Sequence, residues 1–245
     1  MAAQLAALDR TTTALPAFVR PAAPARPTGM VVSFTGTRVA GADPLDAIAE
    51  TVVVERDQML FSEGDVATSI HRVVDGTVRV YKLLPDGRRQ IVGFMQAGDL
   101  MGLTAGACHL YSAEAVTTCT LQRIPRNRID ALMDAQPSVA RRLHQLTAAE
   151  LIAAQDHMLL LGRKTAVERV ASFLLVLAGR SRCGGKKVKV PMSRTDIADH
   201  LGLTTETVSR AFSKLKTTGQ IRLLEGGAVE IVDRECLTET AECAA

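Results

Sequence analysis

The sequence predicts an α+β fold with an N-terminal antiparallel β-roll, a long helix and a C-terminal winged helix-turn-helix domain. Residues 51–125 alternate short β-rich runs with glycine-containing turns, whereas residues 137–161 have one long helical pattern. Residues 193–233 have the pattern of two short helices followed by a β-hairpin. With 245 residues and 47% hydrophobic side chains, the chain is long and apolar enough to form two modest cores.

The first 44 residues differ in composition from the rest of the chain. They are rich in Ala, Pro, Thr and Arg, and prolines at positions 16, 21, 24 and 27 discourage a helix through 15–28. We therefore expect residues 1–44 to form a mostly disordered arm. The other predicted segments are a β-roll over 45–136, a helix over 137–162, a winged helix-turn-helix over 163–233 and a tail over 234–245.

Six β-rich runs make up the predicted roll. They are separated by turn residues such as Asp75-Gly76 and Pro85-Asp86-Gly87. Evenly spaced runs of this kind are typical of a small antiparallel roll or barrel. The predicted strands are Thr51–Glu55, Ile70–Val74, Thr77–Leu83, Gln90–Met95, Ala113–Val116 and Cys119–Ile124.

The segment from residue 193 to residue 216 predicts two helices joined at a glycine. Ser193 is a suitable N-cap for the first helix and Thr204 for the second, since a hydroxyl oxygen can accept from the free N–H groups of a first turn. Gly202 can adopt the left-handed backbone that a sharp corner needs. The apolar faces of the two helices are Ile197, Ala198 and Leu201, and Val208, Ala211, Phe212 and Leu215.

A hairpin follows the two helices. Residues 219–233 have the pattern of a strand, a Glu-Gly-Gly turn and a second strand, which predicts a wing. A helix-turn-helix unit places its second helix in the major groove of DNA. The segment therefore predicts a domain that binds double-stranded DNA.

Polar side chains on the second helix have the chemistry needed to contact bases. Arg210 can donate two hydrogen bonds to guanine O6 and N7, and Glu206 can accept one from cytosine N4 and also support the guanidinium. Thr205 and Ser209 share the solvent side, so we predict that these four residues contact bases. An ordinary surface helix with an i,i+4 ion pair is the alternative. Phosphate contacts are predicted for Ser193, Thr204, Thr207, Lys214 and Lys216.

Positive charge is concentrated in the C-terminal half of the chain. The formal net charge is only +3, but between Arg163 and Arg222 lysines and arginines far outnumber the acidic residues. Such a sign bias is expected of a surface that binds phosphate groups. The bias favours DNA over a neutral partner.

These motifs resemble the CRP/FNR superfamily of bacterial transcription regulators over nearly all of the chain after residue 45. The pattern Glu206, Ser209, Arg210 is similar to the FNR and FixK type, and residues 153–174 are especially similar to FixK. Cyclic-AMP-dependent members have an arginine and a glycine where this chain has Thr205 and Ser209. The resemblance implies an activator that recognises a TTGA half-site, repeated as an inverted TCAA, at genes for low-oxygen respiration or nitrogen fixation.

The resemblance also implies a sensor roll, a dimer helix and contacts with RNA polymerase. Residues 86–94 resemble a polymerase-contacting loop of the family, and an ordinary β-turn is the alternative. In the helix, an apolar seam at 4-3-4-3 spacing is typical of a two-stranded coiled coil. The FNR protein has an aspartate in this seam where this chain has Ala154, so the resemblance implies a homodimer that forms without a cofactor. A single core-facing helix is the alternative. The seam residues are Thr147, Leu151, Ala154, Met158 and Leu161.

Neither a nucleotide nor a metal cofactor is predicted. Nucleotide-binding members hold the phosphate with a Gly-Glu turn and a following arginine, and residues 98–116 contain neither. An FNR-type iron–sulfur cluster needs closely spaced N-terminal cysteines, but the first of the five cysteines is Cys108. Cys108 and His109 with His71 could be a metal site, although buried neutral side chains explain them better.

Cys183 stands between Arg180, Arg182 and two lysines, beside the DNA-binding segment. Nearby cations favour the thiolate, which is the form that peroxide oxidises. We hypothesise that oxidation of Cys183 weakens DNA binding. An inert loop cysteine is an equally good interpretation.

Other classes of protein fit the sequence less well. It lacks an apolar run of roughly 18 residues and a signal peptide, which predicts a cytoplasmic protein without a membrane partner. Because it has no nucleotide-binding glycine loop, nucleophile elbow or metal-ligand spacing, we do not expect an enzyme. A sensor whose DNA binding requires a small ligand in the roll remains the alternative function.

Overall fold

The computed structural model describes residues 43–181 and 185–242, and it has the predicted α+β fold. Two four-stranded antiparallel sheets form the roll. One contains β1 (Glu50–Val54), β8 (Cys119–Pro125), β3 (Ser69–Asp75) and β6 (Leu100–Met101), in that order. The other contains β2 (Met59–Phe61), β7 (Ser112–Ala115), β4 (Val78–Leu83) and β5 (Arg89–Met95).

The six predicted strands of the roll are confirmed to within one residue at each end. Their alternating pattern reflects the core of the roll. Val73, Val78 and Leu121 are buried between the sheets, as alternation along each strand requires. The strands β2 and β6 were not predicted. They are only three and two residues long, too short for alternation to be recognised.

Two helices follow the roll. The first, α1 (Arg126–Ala135), was not predicted because it continues directly from β8 without a turn signal. The second, α2 (Pro137–Arg163), corresponds to the predicted long helix. The beginning of α2 packs on the roll through a core that contains Ile70, Ile124, Ile129, Val139 and Leu143. This core attaches the first turns of α2 to the roll.

The C-terminal domain combines helices with a small sheet. It contains α3 (Ala166–Arg180), β9 (Lys187–Lys189), α4 (Arg194–Leu201), α5 (Thr205–Thr217), β10 (Ile221–Leu223), β11 (Ala228–Ile231) and α6 (Arg234–Glu242). The predicted wing is β10 paired with β11, and β9 adds a third antiparallel strand that was not predicted. Phe173, Leu174, Ile197 and Phe212 lie in the domain core.

Residues 234–242 are a helix where the sequence interpretation placed a tail. Leu237 and Ala241 on α6 are buried in the core of the C-terminal domain. Little in the sequence indicates this helix, because Leu237 and Ala241 are isolated apolar positions in a polar stretch. The predicted N-terminal arm, apart from residues 43 and 44, lies outside the described residues.

Candidate DNA interface

The corner between α4 and α5 is built from local interactions. Ser193 and Asp196 form a capping box, in which the Ser193 hydroxyl accepts from the Asp196 N–H at 3.0 Å and Asp196 accepts from the Ser193 N–H at 3.1 Å. Gly202 ends α4 with φ 62°, a left-handed conformation that a side chain would strain. Thr204 then caps α5 by accepting from the Thr207 N–H at 3.1 Å. The predicted caps and corner are therefore confirmed.

The second helix presents its predicted base-contacting residues to solvent. Val208 and Phe212 are buried beneath α5, and Arg194 of α4 stacks on the Phe212 ring at 3.3 Å. On the opposite side, the Glu206 and Arg210 side chains are 73% and 79% exposed and lie 2.6 Å apart. Both groups stand in the first turns of α5, the part of a recognition helix that enters the major groove.

The hydroxyl groups of the interface are engaged within the protein. Ser209 donates to the Thr205 carbonyl at 2.9 Å, and the Thr205 hydroxyl lies 3.4 Å from that of Thr195. The hydroxyls of Thr204 and Thr207 are 2.8 Å apart. The Ser193 hydroxyl donates to Asp196 at 2.8 Å. Ser209 can accept a hydrogen bond from a base while it keeps this intrahelical bond, and it must give up the bond only to donate to DNA.

Exposed basic side chains lie on α5, β9 and β10. Lys214 and Lys216 are exposed near the end of α5, as predicted for phosphate contacts. Lys187 and Lys189 on β9 are also exposed. Arg222 on β10 is 65% exposed and pairs with Glu230 at 2.9 Å. The β9 and β10 residues have no local sequence signature of a shared surface, because only the sheet register places them beside one another.

An apolar stripe runs along the exposed side of α2. Leu151 is 60% exposed and Met158 is 64% exposed, and both belong to the predicted seam. Thr147 and Ala154 are exposed as well. Ile152 and Leu159, which were not predicted, widen the stripe. Leu161 differs from the other seam residues, because it is half-buried at the C-terminal end of α2 beside Gly202.

One stretch of the roll, residues 98–116, bears on whether a cyclic nucleotide phosphate could bind. The stretch 98–116 contains no lysine or arginine that could neutralise a phosphate. Asp99 in this stretch is buried and pairs with Arg180 at 2.9 Å, and the Ser112 hydroxyl accepts from the Glu63 N–H at 3.0 Å. These residues do not fit a nucleotide phosphate.

Two histidines lie in the roll beside Phe61. The His109 ring stacks on Phe61 with centroids 3.9 Å apart, and the His71 ring stacks on it at 5.7 Å. Burial lowers the pKa of His71 to about 4, and the neighbouring His109 and Arg123 add to this effect. Cys108 is exposed. Within residues 43–181 and 185–242, no three histidine, cysteine or acidic side chains come together as a metal site.

Cys183, the predicted redox-sensitive residue, lies outside the described residues. None of the helices in the described part of the chain is both long and apolar enough to cross a membrane.

A β-roll joined through a long helix to a winged helix-turn-helix is the architecture of one class of DNA-binding transcription regulators. The sequence matches the family model of the cyclic nucleotide-binding domain over residues 51–136. It also matches the Crp-like helix-turn-helix domain over residues 168–240, a range that includes most of α6.

Individual proteins that are similar to this chain indicate its branch within this class of regulators. It is 45% identical over 173 residues to a nitrogen fixation regulation protein FixK of Bradyrhizobium diazoefficiens, covering 69% of this chain and 73% of that protein. It is also 45% identical to the FixK protein of Azorhizobium caulinodans over 195 residues, or 78% and 79% of the two chains. The solved structure of FixK2 from Bradyrhizobium japonicum superposes with a TM-score of 0.77, at 42% identity over 81% of this chain and all of that one. The chain belongs to the CRP/FNR family of transcription regulators, in its FixK-like branch.

Proposed function

We propose that this DNA-binding regulator acts as a homodimer that binds a TTGA-N6-TCAA-like inverted repeat and activates transcription. The observation that carries the proposal is the exposed pair of Glu206 and Arg210 in the first turns of α5. An exposed ion pair contributes little to stability, so the fold alone does not account for its position. By analogy with the FixK relatives, the target genes serve low-oxygen metabolism or nitrogen fixation.

Base contacts follow from the chemistry of this pair. The guanidinium of Arg210 can give two donors to guanine while Glu206 orients it and accepts from a neighbouring cytosine. Thr205 and Ser209, one turn apart on the same face, complete the proposed base-contacting set. Phosphate contacts are proposed for Ser193, Thr204, Thr207, Lys214 and Lys216, to which the exposed Lys187, Lys189 and Arg222 can be added.

The apolar stripe on α2 supports the proposed homodimer. Leu151, Ile152, Met158 and Leu159 are each at least 45% exposed in the single chain. Burial of apolar surface against a second copy of the helix would remove these side chains from water. A twofold dimer then presents two copies of α5 to successive major grooves, roughly 34–36 Å apart, which requires an inverted repeat.

Fluorescence anisotropy with purified, reduced, ligand-free protein tests this function. We expect a dissociation constant of about 10⁻⁸ M or tighter for a TTGA-N6-TCAA duplex, and far weaker binding to a scrambled duplex of the same length and salt concentration. Equal binding to the two duplexes would contradict the proposal. Recovery of specific binding on addition of a cell metabolite fraction would favour the ligand-gated sensor.

Oxidation of Cys183 is the regulatory part of the proposal. The residue lies in a basic stretch of the sequence between α3 and β9. Peroxide would convert its thiolate to a sulfenate, adding bulk and polarity beside the DNA phosphates. Peroxide is expected to weaken operator binding by the wild type but not by Cys183→Ser. Equal loss of binding in both proteins would contradict this role, and Cys236→Ser serves as the matched control.

RNA polymerase is proposed to contact the β4–β5 turn. Leu83 is 58% exposed and Arg88 has a 77% exposed side chain, whereas Ile91 and Phe94 farther along β5 are buried. The contact surface is therefore limited to the tip of the predicted 86–94 segment. Replacing Arg88 with Asp should reduce transcription in vitro without weakening operator binding, and unchanged transcription would contradict the contact.

A further inference from the structure

Strand β5 of the roll is tied to helix α4 by an arginine that spans two aspartates. The Arg89 Nη2 donates to Asp196 at 2.7 Å, and its Nε donates to Asp199 at 2.8 Å. The Asp196 side chain is only 6% exposed, so this contact is shielded from water and from salt. Because both charge-assisted bonds come from one planar guanidinium, they also define the orientation of α4 relative to β5.

Asp196 links the roll to the corner of the helix-turn-helix. Its Oδ2 accepts from Ser193 in the capping box of α4, while its Oδ1 accepts from Arg89. Arg79 of β4 lies 3.6 Å from the same Oδ1 and is held in place by Glu114 at 2.6 Å. The carboxylate that caps the first helix is therefore also the point at which the roll holds that helix.

Neighbouring contacts extend this joint along α4. Gln90 donates to the His200 carbonyl at 3.3 Å, and the His200 Nδ1 donates to the Ile91 carbonyl at 3.1 Å. The Phe94 ring meets the His200 ring edge-on at 5.2 Å. At the far end of α3, Arg180 donates to Asp99 of the roll at 2.9 Å.

The covalent connection between α2 and the C-terminal domain is short and does not by itself fix an angle. Lys164 and Thr165 are both extended and separate α2 from α3. Arg169 bonds the carbonyls of Leu161 and Leu201, each at 2.8 Å, and so holds the two domains together close to this connection. These two bonds of Arg169 lie near the hinge between α2 and α3. Rotation of the C-terminal domain about this hinge is opposed by the more distant contacts of α4 and α3 with the roll.

We propose that Arg89 is a positioning residue for DNA recognition, and that the Arg89–Asp196–Asp199 joint sets the distance between DNA half-sites that the regulator accepts. The inference rests on the proposed function, because half-site spacing has meaning only for a dimer on an inverted repeat. Each α5 is held by α4, α4 is held by the roll, and the roll is packed on its own α2. The joint thereby transfers the geometry of the dimer helix to the recognition helices.

Spacing is a sensitive readout of this joint. Inserting or deleting one base pair moves a half-site by about 3.4 Å and rotates it by about a tenth of a helical turn. A rigidly held pair of recognition helices cannot follow this displacement, whereas a pair that pivots at the hinge can. Base preference depends on α5 itself and should not respond to the joint.

The experiment measures affinities for TTGA-Nx-TCAA duplexes with spacers of four to eight base pairs, at one salt concentration. Wild type should favour one spacer by at least about tenfold, the effect of a single lost contact of about 1.4 kcal/mol. Arg89→Asp, which places three carboxylates together, should flatten this profile to within about threefold while retaining preference for TTGA over a scrambled half-site. Arg56→Asp reverses a charge at an exposed roll position paired locally with Asp57 and should leave the profile unchanged.

Two further variants separate positioning from folding. The exchange Arg89→Asp with Asp199→Arg returns an arginine between two carboxylates and should restore the sharp profile. Asp199→Asn removes one of the two acceptor charges without touching the capping box, and it should broaden the profile even if Arg89→Asp is unfolded. A sharp profile retained by both Arg89→Asp and Asp199→Asn would overturn the joint and leave the proposed function intact. A wild type with no spacer preference would overturn both.

Discussion

At the scale of single residues, the pair of Glu206 and Arg210 is proposed to serve DNA recognition rather than stability. Both are largely exposed, and surface ion pairs of this kind contribute about 0–1 kcal/mol. In the proposed function, the Glu206 carboxylate orients the planar guanidinium of Arg210 before DNA binds. The Arg210 side chain therefore loses less freedom on binding than a free arginine would.

Replacing Arg210 with Ala should cost about 1–3 kcal/mol for each half-site and relax the preference for guanine at the contacted position. Anisotropy with operators that carry each base at that position measures both effects. Lys214→Ala is the matched comparison, since loss of a phosphate contact should weaken all sequences alike and lower the slope of affinity against salt. An Arg210→Ala protein with full base preference would show that another residue contacts the guanine.

A half-buried histidine links stability to pH. The His200 ring is enclosed by the rings of His157, Phe94 and Phe173. Burial lowers the pKa of His200 from 6.5 to about 4, and the neighbouring His157 contributes to this effect. The His200 ring therefore takes up a proton below about pH 6.5 in the unfolded chain, whereas in the folded protein the ring stays neutral until about pH 4. The stability from neutral His200 is present above pH 6.5 and is lost as the pH falls toward 4.

Between pH 7 and pH 5, each such histidine should lower the free energy of unfolding by about 2 kcal/mol. Urea titrations at the two pH values measure the difference, and His200→Asn should reduce it. His144→Asn changes an exposed histidine on α2 and is the control. If His200→Asn and wild type lost the same stability over this range, the ring would not be held neutral by burial.

At the scale of elements, α2 has two kinds of surface along its length. Its beginning packs on the roll, whereas its middle exposes Leu151, Ile152, Met158 and Leu159. A helix that served only the core of its own chain would place these side chains inward. The change from buried to exposed apolar residues favours a contact with a second copy.

Replacing Leu151 with Glu should dissociate the dimer, because two carboxylates would face each other across a twofold seam. Sedimentation velocity at micromolar protein should show a monomer, and operator affinity should fall at least tenfold, or about 1.4 kcal/mol. Gln145→Glu adds the same charge at an exposed polar position of α2 and should leave the dimer intact. A dimeric Leu151→Glu protein would place the interface elsewhere.

Local elements could be predicted from the sequence, and long-range ones could not. The capping residues Ser193 and Thr204 and the corner at Gly202 depend on neighbours within four residues, so their patterns were sufficient. The joint of Arg89 with Asp196 connects positions 107 residues apart and has no local signature. Strand β9 became recognisable only through its pairing with β11.

At the scale of the whole molecule, the roll and the C-terminal domain share one core. Tyr81, Ile91 and Phe94 of the roll belong to the same buried cluster as Phe173 and Phe212. A roll that is packed against the DNA-binding domain in this way can transmit a change in its own position to that domain. The roll can equally hold the DNA-binding domain in place. The absence of cationic side chains from residues 98–116 favours this holding role over a role in sensing a nucleotide.

The ligand-free protein is proposed to bind DNA as a dimer through two equivalent half-sites. The most direct test is an anisotropy titration that compares an intact TTGA-N6-TCAA duplex with one whose second half-site is scrambled. Since mismatches cost about 1–3 kcal/mol each, we predict that the intact duplex binds more than about 100-fold more tightly, with two protomers on each duplex. Equal affinities with one protomer on each duplex would contradict the claim.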